Sequence, residues 1–189
     1  MKRRVETLAN FFKKMAQSLR GETETEGAPA PEPAGGGLTE GAFVMPVTGT
    51  VMPLADVPDP VFAQEMMGPG FAVDPEDGTI TSPVNGKIVS TFPTKHAVGL
   101  MSDSGVEVLI HIGLDTVKLN GEGFDLLVED GQEVRQGEPL LKADFAHIRA
   151  NAPSAVTPII FTNTEKGNVH LLKQGRQESG TAGIVKVDG

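Results

Sequence analysis

The sequence predicts an all-β protein, a compact antiparallel β-sandwich or barrel with short helical turns, preceded by a flexible N-terminal tail. Three observations point there. From Ala42 onward, short runs rich in β-branched and aromatic residues recur roughly every eight to twelve positions, a spacing typical of sandwiches and barrels. Each run is bounded by Gly, Pro, Asn or Asp, and the 23 glycines and 14 prolines favour turns over long helices. Helical periodicity is confined to the first twenty residues and three short pieces. A length of 189 residues suits one domain with a real core rather than two.

Taken in order, residues 1–20 form the first element. Val5, Leu8, Phe12, Met15 and Leu19 recur at spacings of three and four, with Phe11 beside them, and the pattern predicts an amphipathic helix. Its other face carries Lys2, Arg3, Arg4, Lys13, Lys14 and Arg20 against the single acid Glu6. Such a helix suits weak contact with an anionic membrane surface, and equally suits packing on the domain. Residues 21–41 hold five Glu, six Gly, three Pro and one large apolar residue, Leu38, which predicts a disordered linker.

The domain is then expected over residues 42–189. Strands are expected at Phe43–Val51, Phe71–Asp74, Thr79–Ser82, Gly86–Phe92, Ala97–Met101, Val106–Ile112, Pro139–Ala143, Val156–Thr162 and Gly183–Val187. Helical turns are expected at Val61–Met66, Phe124–Leu127 and Phe145–Asn151. An echo between Ile80-x-x-Pro83-Val84-x-Gly86-x-Ile88 and Val128-x-x-Gly131-x-x-Val134-x-x-Gly137-x-x-Leu140 suggests a repeated strand–turn unit.

Composition excludes several classes of function. With no Cys there is no disulfide framework, thiolate zinc site or cysteine nucleophile. A net charge of −9, with no Trp or Tyr, argues against nucleic acid as a partner. No apolar run reaches the roughly 18–20 residues of a membrane span, and no signal-peptide core follows the basic start. A cytoplasmic protein, at most peripheral at the inner face of the plasma membrane, is expected.

Histidine is the one side chain that ordinarily titrates near neutral pH, and there are four. His147, in an amphipathic helical stretch, and His170, near the C-terminus, read as structural. His111 lies in a strand where Val106, Val108, Ile110 and Ile112 share one face by alternation and Glu107, Leu109 and His111 the other. His96 lies on the preceding run, with Thr94, Val98 and Leu100 at the same parity. A hairpin turning at Ser102-Asp103-Ser104-Gly105 places His96 opposite His111 as a cross-strand pair, with Cβ atoms roughly 5 Å apart. Two adjacent imidazoles suit either a metal pair awaiting a third ligand, or a nucleophilic nitrogen beside a donor to phosphoryl oxygens.

The runs Val57-Pro-Asp-Pro-Val-Phe62, Phe92-Pro-Thr-Lys-His-Ala97 and above all Gly105-Val-Glu-Val-Leu-Ile-His-Ile-Gly-Leu-Asp-Thr-Val-Lys-Leu-Asn-Gly-Glu-Gly-Phe124 carry a resemblance. So do Gly131-Gln-Glu-Val-Arg-Gln-Gly137 and Thr157-Pro158. On these motifs the chain resembles the glucose-type IIA (EIIA-Glc) family of the bacterial phosphoenolpyruvate-dependent sugar phosphotransferase system, over about residues 42–189. The basic helix and polar linker resemble free-standing members rather than a domain cut from a larger permease. Glu165–Gly180 departs from the family in being more polar and Gly-rich, so a loose edge is expected there.

The resemblance implies a duplicated hybrid motif fold and a phosphotransferase working through a phosphohistidine. His111 would accept the phosphoryl group on Nε2 from phospho-HPr and pass it to a cysteine of a permease IIB domain. His96 would stabilise the phosphoryl oxygens, Thr94 would orient His96, and Asp115 would meet a partner's cation. Val61, Phe62, Met66, Met67, Phe92, Leu109 and Val117 would form the docking face. Lys95 and Lys118 are assigned no role. A regulator that binds transporters or kinases in its dephosphorylated form is the alternative. A zinc hydrolase, suggested by the His111-x-x-x-Asp115 spacing, lacks the His-x-His pair such enzymes need. No cofactor is required, although His96 and His111 could share a regulatory zinc ion with a partner's carboxylate. A monomer is expected, because the apolar face is assigned to transient docking.

Overall fold

The computed structural model describes residues 36–39 and 41–189. The expected helix over 1–20 and most of the expected linker lie outside the described residues. Leu38, within the expected linker, is buried, and its backbone exchanges two hydrogen bonds with Val187, so the ordered fold begins before Ala42. Leu38 is the one residue of that segment able to bury a large apolar side chain.

The scaffold is an eight-stranded sheet in which every neighbouring pair is antiparallel. Its strands are β1 (Gly49–Pro53), β2 (Gly70–Pro75), β4 (Gly86–Thr91), β5 (Ala97–Ser102), β6 (Glu107–His111), β8 (Glu133–Val134), β10 (Thr157–Phe161) and β12 (Gly175–Gln177). They run in the order β12-β1-β2-β10-β6-β5-β4-β8. β3 (Thr79–Thr81), β9 (Pro139–Ala143) and β7 (Phe124–Leu126) form a three-stranded sheet, and β11 (Val169–Leu171) pairs with β13 (Val185–Val187). Two short helices, α1 (Pro60–Ala63) and α2 (Phe145–Asn151), complete the domain with two 3-10 turns, Leu54–Asp56 and Thr116–Leu119.

Period-two alternation builds the core between these layers. Val51, Phe71, Val73, Ile88, Val98, Leu100, Val108, Ile110, Ile159 and Phe161 of the large sheet meet Ile80, Phe124, Leu140, Leu141, Val185 and Val187 of the small ones. Phe43 stands edge-on to Phe71 and tilted against Phe161, with ring centroids 5.8 Å apart in both pairs. The intervening strand positions, Ala72, Ala97, Leu109 and Ile160, are also buried but lie outside this core cluster, on the sheet's other face. The candidate site is on that face.

Four sequence expectations need correction. The first strand begins at Gly49 rather than Phe43: Phe43, Met45 and Val47 alternate inward, but Val44 and Met45 donate to Pro83 and Thr181 instead of a continuous ladder. The helical turn expected at Phe124–Leu127 is instead strand β7, paired with β9. Three residues are too few to distinguish a period of 3.6 from one of two. The expected loose edge over Glu165–Gly180 contains β11 and β12, and β12 extends the main sheet through β1.

The fourth correction is the register of the β5–β6 hairpin. Ala97, not His96, lies opposite His111. Ser102 closes the hairpin: its N–H donates to the Val106 carbonyl, and its Oγ accepts from the Val106 N–H at 2.9 Å. The loop is therefore three residues, ending on Gly105 at φ +87°, and not the expected four. The pairing slips by one residue.

Candidate functional site

Despite that slip, the two imidazoles meet. His96 precedes β5, and Lys95 before it takes a left-handed φ of +53°, which ends the extended run and its alternation. The His96 carbonyl still accepts from the Ile112 N–H. Its ring turns toward His111, with centroids 4.9 Å apart and planes at 74°. Ala97 opposite His111 is among the smallest side chains available there.

Both ring orientations are tied by Nδ1. His111 Nδ1 lies 2.8 Å from the Gly113 carbonyl oxygen, which can only accept, so Nδ1 carries the proton and Nε2 the lone pair. Gly113 bends the chain back at φ +72°, and a Cβ there would lie 2.6 Å from Thr116 Cγ2. Thr116 in turn donates its hydroxyl to the Ile112 carbonyl at 2.6 Å, bracing the turn after β6. His96 Nδ1 lies 2.6 Å from Thr94 Oγ1. When the threonine hydroxyl donates, His96 keeps its proton on Nε2. Among the described residues, neither Nε2 atom has a hydrogen-bond partner.

Both rings are held neutral at pH 7. Burial, then the neighbouring His111, pushes His96 down to about 3. Burial also lowers His111, opposed by the Gly113 carbonyl and by the carboxylates of Asp59 and Asp115. A neutral His111 offers a nucleophilic nitrogen, and a neutral His96 offers one fixed N–H.

Asp115, the one acidic site residue expected, stands beside this turn at φ +58°, its carboxylate 2.7 Å from Lys118 Nζ at the surface. Lys118, given no role from sequence, therefore already holds the carboxylate expected to meet a partner's cation. Asp59 was missed as a site residue. It caps α1 by accepting from the Val61 N–H at 2.8 Å, and its charge reaches His111. An Asp-Pro pair is a local helix-start signal, but nothing local ties it to the site.

The expected docking residues divide by exposure. Val61 and Met66 are 39 % and 58 % exposed, and Met67 and Val117 are half-buried. Phe62, Phe92 and Leu109 are 5 %, 8 % and 5 % exposed, so they are packed into the fold rather than presented on a face. The Phe62 ring lies 5.2 Å from His111 and the Phe92 ring 5.4 Å from His96. His147 and His170 stand apart: the His147 N–H is capped by Asp144, and His170 Nε2 lies 2.7 Å from Asp188. Among the described residues no group of three His, Asp or Glu side chains is placed to hold a metal ion. Among the same residues no helix is long and apolar enough to cross a membrane.

Known proteins resemble this chain in sequence and fold. The family described as phosphoenolpyruvate-dependent sugar phosphotransferase system, EIIA 1, matches residues 41–167. Over 131 residues the chain is 54 % identical to the PTS system glucosamine-specific EIICBA component of Bacillus subtilis (strain 168). That match takes in 69 % of this chain and 21 % of the Bacillus protein, about a fifth of its length. The fold is similar to that of the glucose permease IIA from Mycoplasma capricolum, with a TM-score of 0.72 and 42 % identity, covering 76 % of this chain and 93 % of that one.

Proposed function

The chain belongs to the EIIA 1 family of the phosphoenolpyruvate-dependent sugar phosphotransferase system, and from that premise we propose that it is a phosphocarrier in sugar uptake, with His111 as the residue that carries the phosphoryl group. The observation that supports this most is the Nδ1 contact of His111 to the Gly113 carbonyl, which leaves the Nε2 lone pair free. The donor would be the phosphohistidine of HPr, and the acceptor a cysteine on the IIB domain of a sugar permease.

In the forward step the Nε2 lone pair of His111 forms the new N–P bond. The donor's N–P bond breaks, and its electron pair returns to the donor imidazole. The His111 ring gains positive character while keeping its Nδ1 proton. The bond to Gly113 then becomes charge-assisted, and Asp59 and Asp115 stabilise the same charge. His96, neutral and held by Thr94, donates Nε2–H to a phosphoryl oxygen. Passing the group on reverses these changes, with the IIB thiolate as nucleophile.

His96 and His111 are also the two nitrogen donors we propose for a zinc ion shared with a partner, the Thr94 hydroxyl then accepting from His96 Nδ1–H so that Nε2 is free to bind. A pair of imidazoles fits zinc chemistry but leaves ligands for the partner to supply. Zinc-dependent pull-down of a carboxylate-bearing partner tests this, and no zinc effect would refute it.

The phosphocarrier reading is tested by incubating the chain with phosphoenolpyruvate, enzyme I and HPr, followed by intact mass and peptide mapping. Native protein should gain one acid-labile phosphate on the peptide containing His111. His111→Ala should gain none, and His96→Gln should accept the group but pass it on poorly. Absence of phosphate on the native chain would refute the reading.

A further inference from the structure

We infer that Phe62 and Phe92 are positioning residues, one packed on each imidazole of the histidine pair, and that docking is left to Val61, Met66, Met67 and Val117. The inference rests on the phosphocarrier reading and assigns separate tasks within the same apolar surroundings.

The four rings form a chain of pairwise tilted contacts in the order Phe62, His111, His96, Phe92. Successive centroids are 5.2, 4.9 and 5.4 Å apart, and interplanar angles are 59°, 74° and 50°. Such tilted arrangements are favoured by ring quadrupoles. The outer rings come from different elements. Phe62 sits on the single turn of α1, whose start is fixed by the Asp59 cap and by Pro60 at the first helical position. Phe92 follows β4, and its carbonyl accepts from the Lys95 N–H in the turn that delivers His96. Phe62 is thus anchored independently of the imidazole it covers, whereas Phe92 belongs to the turn that delivers His96.

Burial separates the two roles. A phenylalanine buries about 150–250 Å² when packed, so 5 % and 8 % exposure leaves only about 10–20 Å² of each ring for a partner to cover. Val61 and Met66 present far more, and the flexible thioether of Met66 suits a surface that meets more than one partner. What the phenyls do cover is the histidine pair. They keep water from one side of each ring and restrict the rotations that would misalign Nε2.

The two roles give opposite kinetic signatures in transfer from phospho-HPr. Phe62→Leu and Phe92→Leu should lower kcat at least roughly tenfold with KM changed less than about threefold, whereas Met66→Ser should raise KM with kcat kept. Phe62→Leu acts through His111 and Phe92→Leu through His96, so NMR should separate them. The first should move the ring resonances of His111 most, and the second those of His96, while amide signals far from the site stay in place. That unchanged background reports a folded protein. Should either leucine variant fail to fold, Phe62→Met or Phe92→Met replaces it with a more adaptable side chain.

A rise in KM at constant kcat for the phenylalanine variants would overturn the inference, because docking would then be their role. Normal transfer with unmoved imidazole resonances would overturn it as well. A native chain that accepts no phosphoryl group would instead refute the phosphocarrier reading.

Discussion

Acid should unfold this protein partly through His96, and the size of that effect follows from the site. His96 is 3 % exposed and is held down to about 3, against an ordinary value of 6.5. Below pH 6.5 the unfolded chain therefore takes a proton on this ring that the folded chain refuses. Stability contributed by the neutral ring is complete above pH 6.5 and falls as pH drops through the window down to about 3. Between pH 7 and pH 5 the loss from this one group is about 2 kcal/mol. With a urea slope of about 1–3 kcal/mol/M, the unfolding midpoint should fall by roughly 1 M over that interval on account of His96. The assay is urea unfolding of native protein and His96→Gln at both pH values. Glutamine lowers stability at pH 7 by losing the ring and its Thr94 contact, but it carries no proton to refuse. Its midpoint should consequently fall about 1 M less than the native midpoint does. The comparison reads the His96–His111 pair, because His147 and His170 stand apart from the substitution and are common to both proteins. Equal pH shifts in the two proteins would refute the reasoning.

Other perturbations test neighbouring parts of the site. Gly113→Ala places a Cβ 2.6 Å from Thr116 Cγ2 and 3.0 Å from the Ser154 carbonyl oxygen at a φ of +72°, and should cost about 1–3 kcal/mol, read as a lowered thermal midpoint. Thr94→Val removes the hydroxyl at His96 Nδ1. Phosphate should still load on His111, but transfer onward should slow about tenfold or more, measured by single-turnover chase with a IIB domain. Asp59→Ala removes the cap of α1 and should cost about 1 kcal/mol in urea unfolding. Lys118→Ala frees the exposed Asp115 carboxylate. Its stability should change by less than about 1 kcal/mol, because exposed ion pairs contribute little.

Much of this architecture is legible along the chain because it is periodic. Alternation in Val106–Ile112 separates core from site face, and helix α2 occupies the expected Phe145–Asn151. The resemblance motifs lie where the chain is locally distinctive, around His96 and His111. What was not legible depends on single contacts. The hairpin register turned on whether Ser102 belongs to the strand or the loop, a choice made by its own Oγ accepting from Val106. The meeting of the imidazoles therefore arises differently from the route expected, through the left-handed turn at Lys95 rather than direct cross-strand pairing. The burial of Phe62 against His111 joins residues far apart in sequence. No local pattern distinguishes a phenyl packed under the surface from one presented on it. Asp59 is a similar case: its capping role is local, but its proximity to His111 is tertiary.

The neutrality of His96 carries a consequence for how phosphoryl charge is handled. A cationic neighbour would attract the phosphoryl oxygens more strongly, and would hold them through both halves of transfer. On the proposed carrier role a neutral N–H, aimed by Thr94, would orient the group while adding less to the ground state. Asp59 and Asp115 would act in the same direction in that role, since their charges would oppose a dianionic group on His111 while stabilising a positive ring during exchange. A carrier that must both accept and release needs this balance. A site that bound the phosphoryl group more tightly would load well and discharge slowly. Mutating His96 to a permanently charged side chain should shift the protein that way: His96→Arg, if it folds, should remain phosphorylated longer than native protein when chased with a IIB domain. Discharge at the native rate would show that His96 serves only as packing for His111.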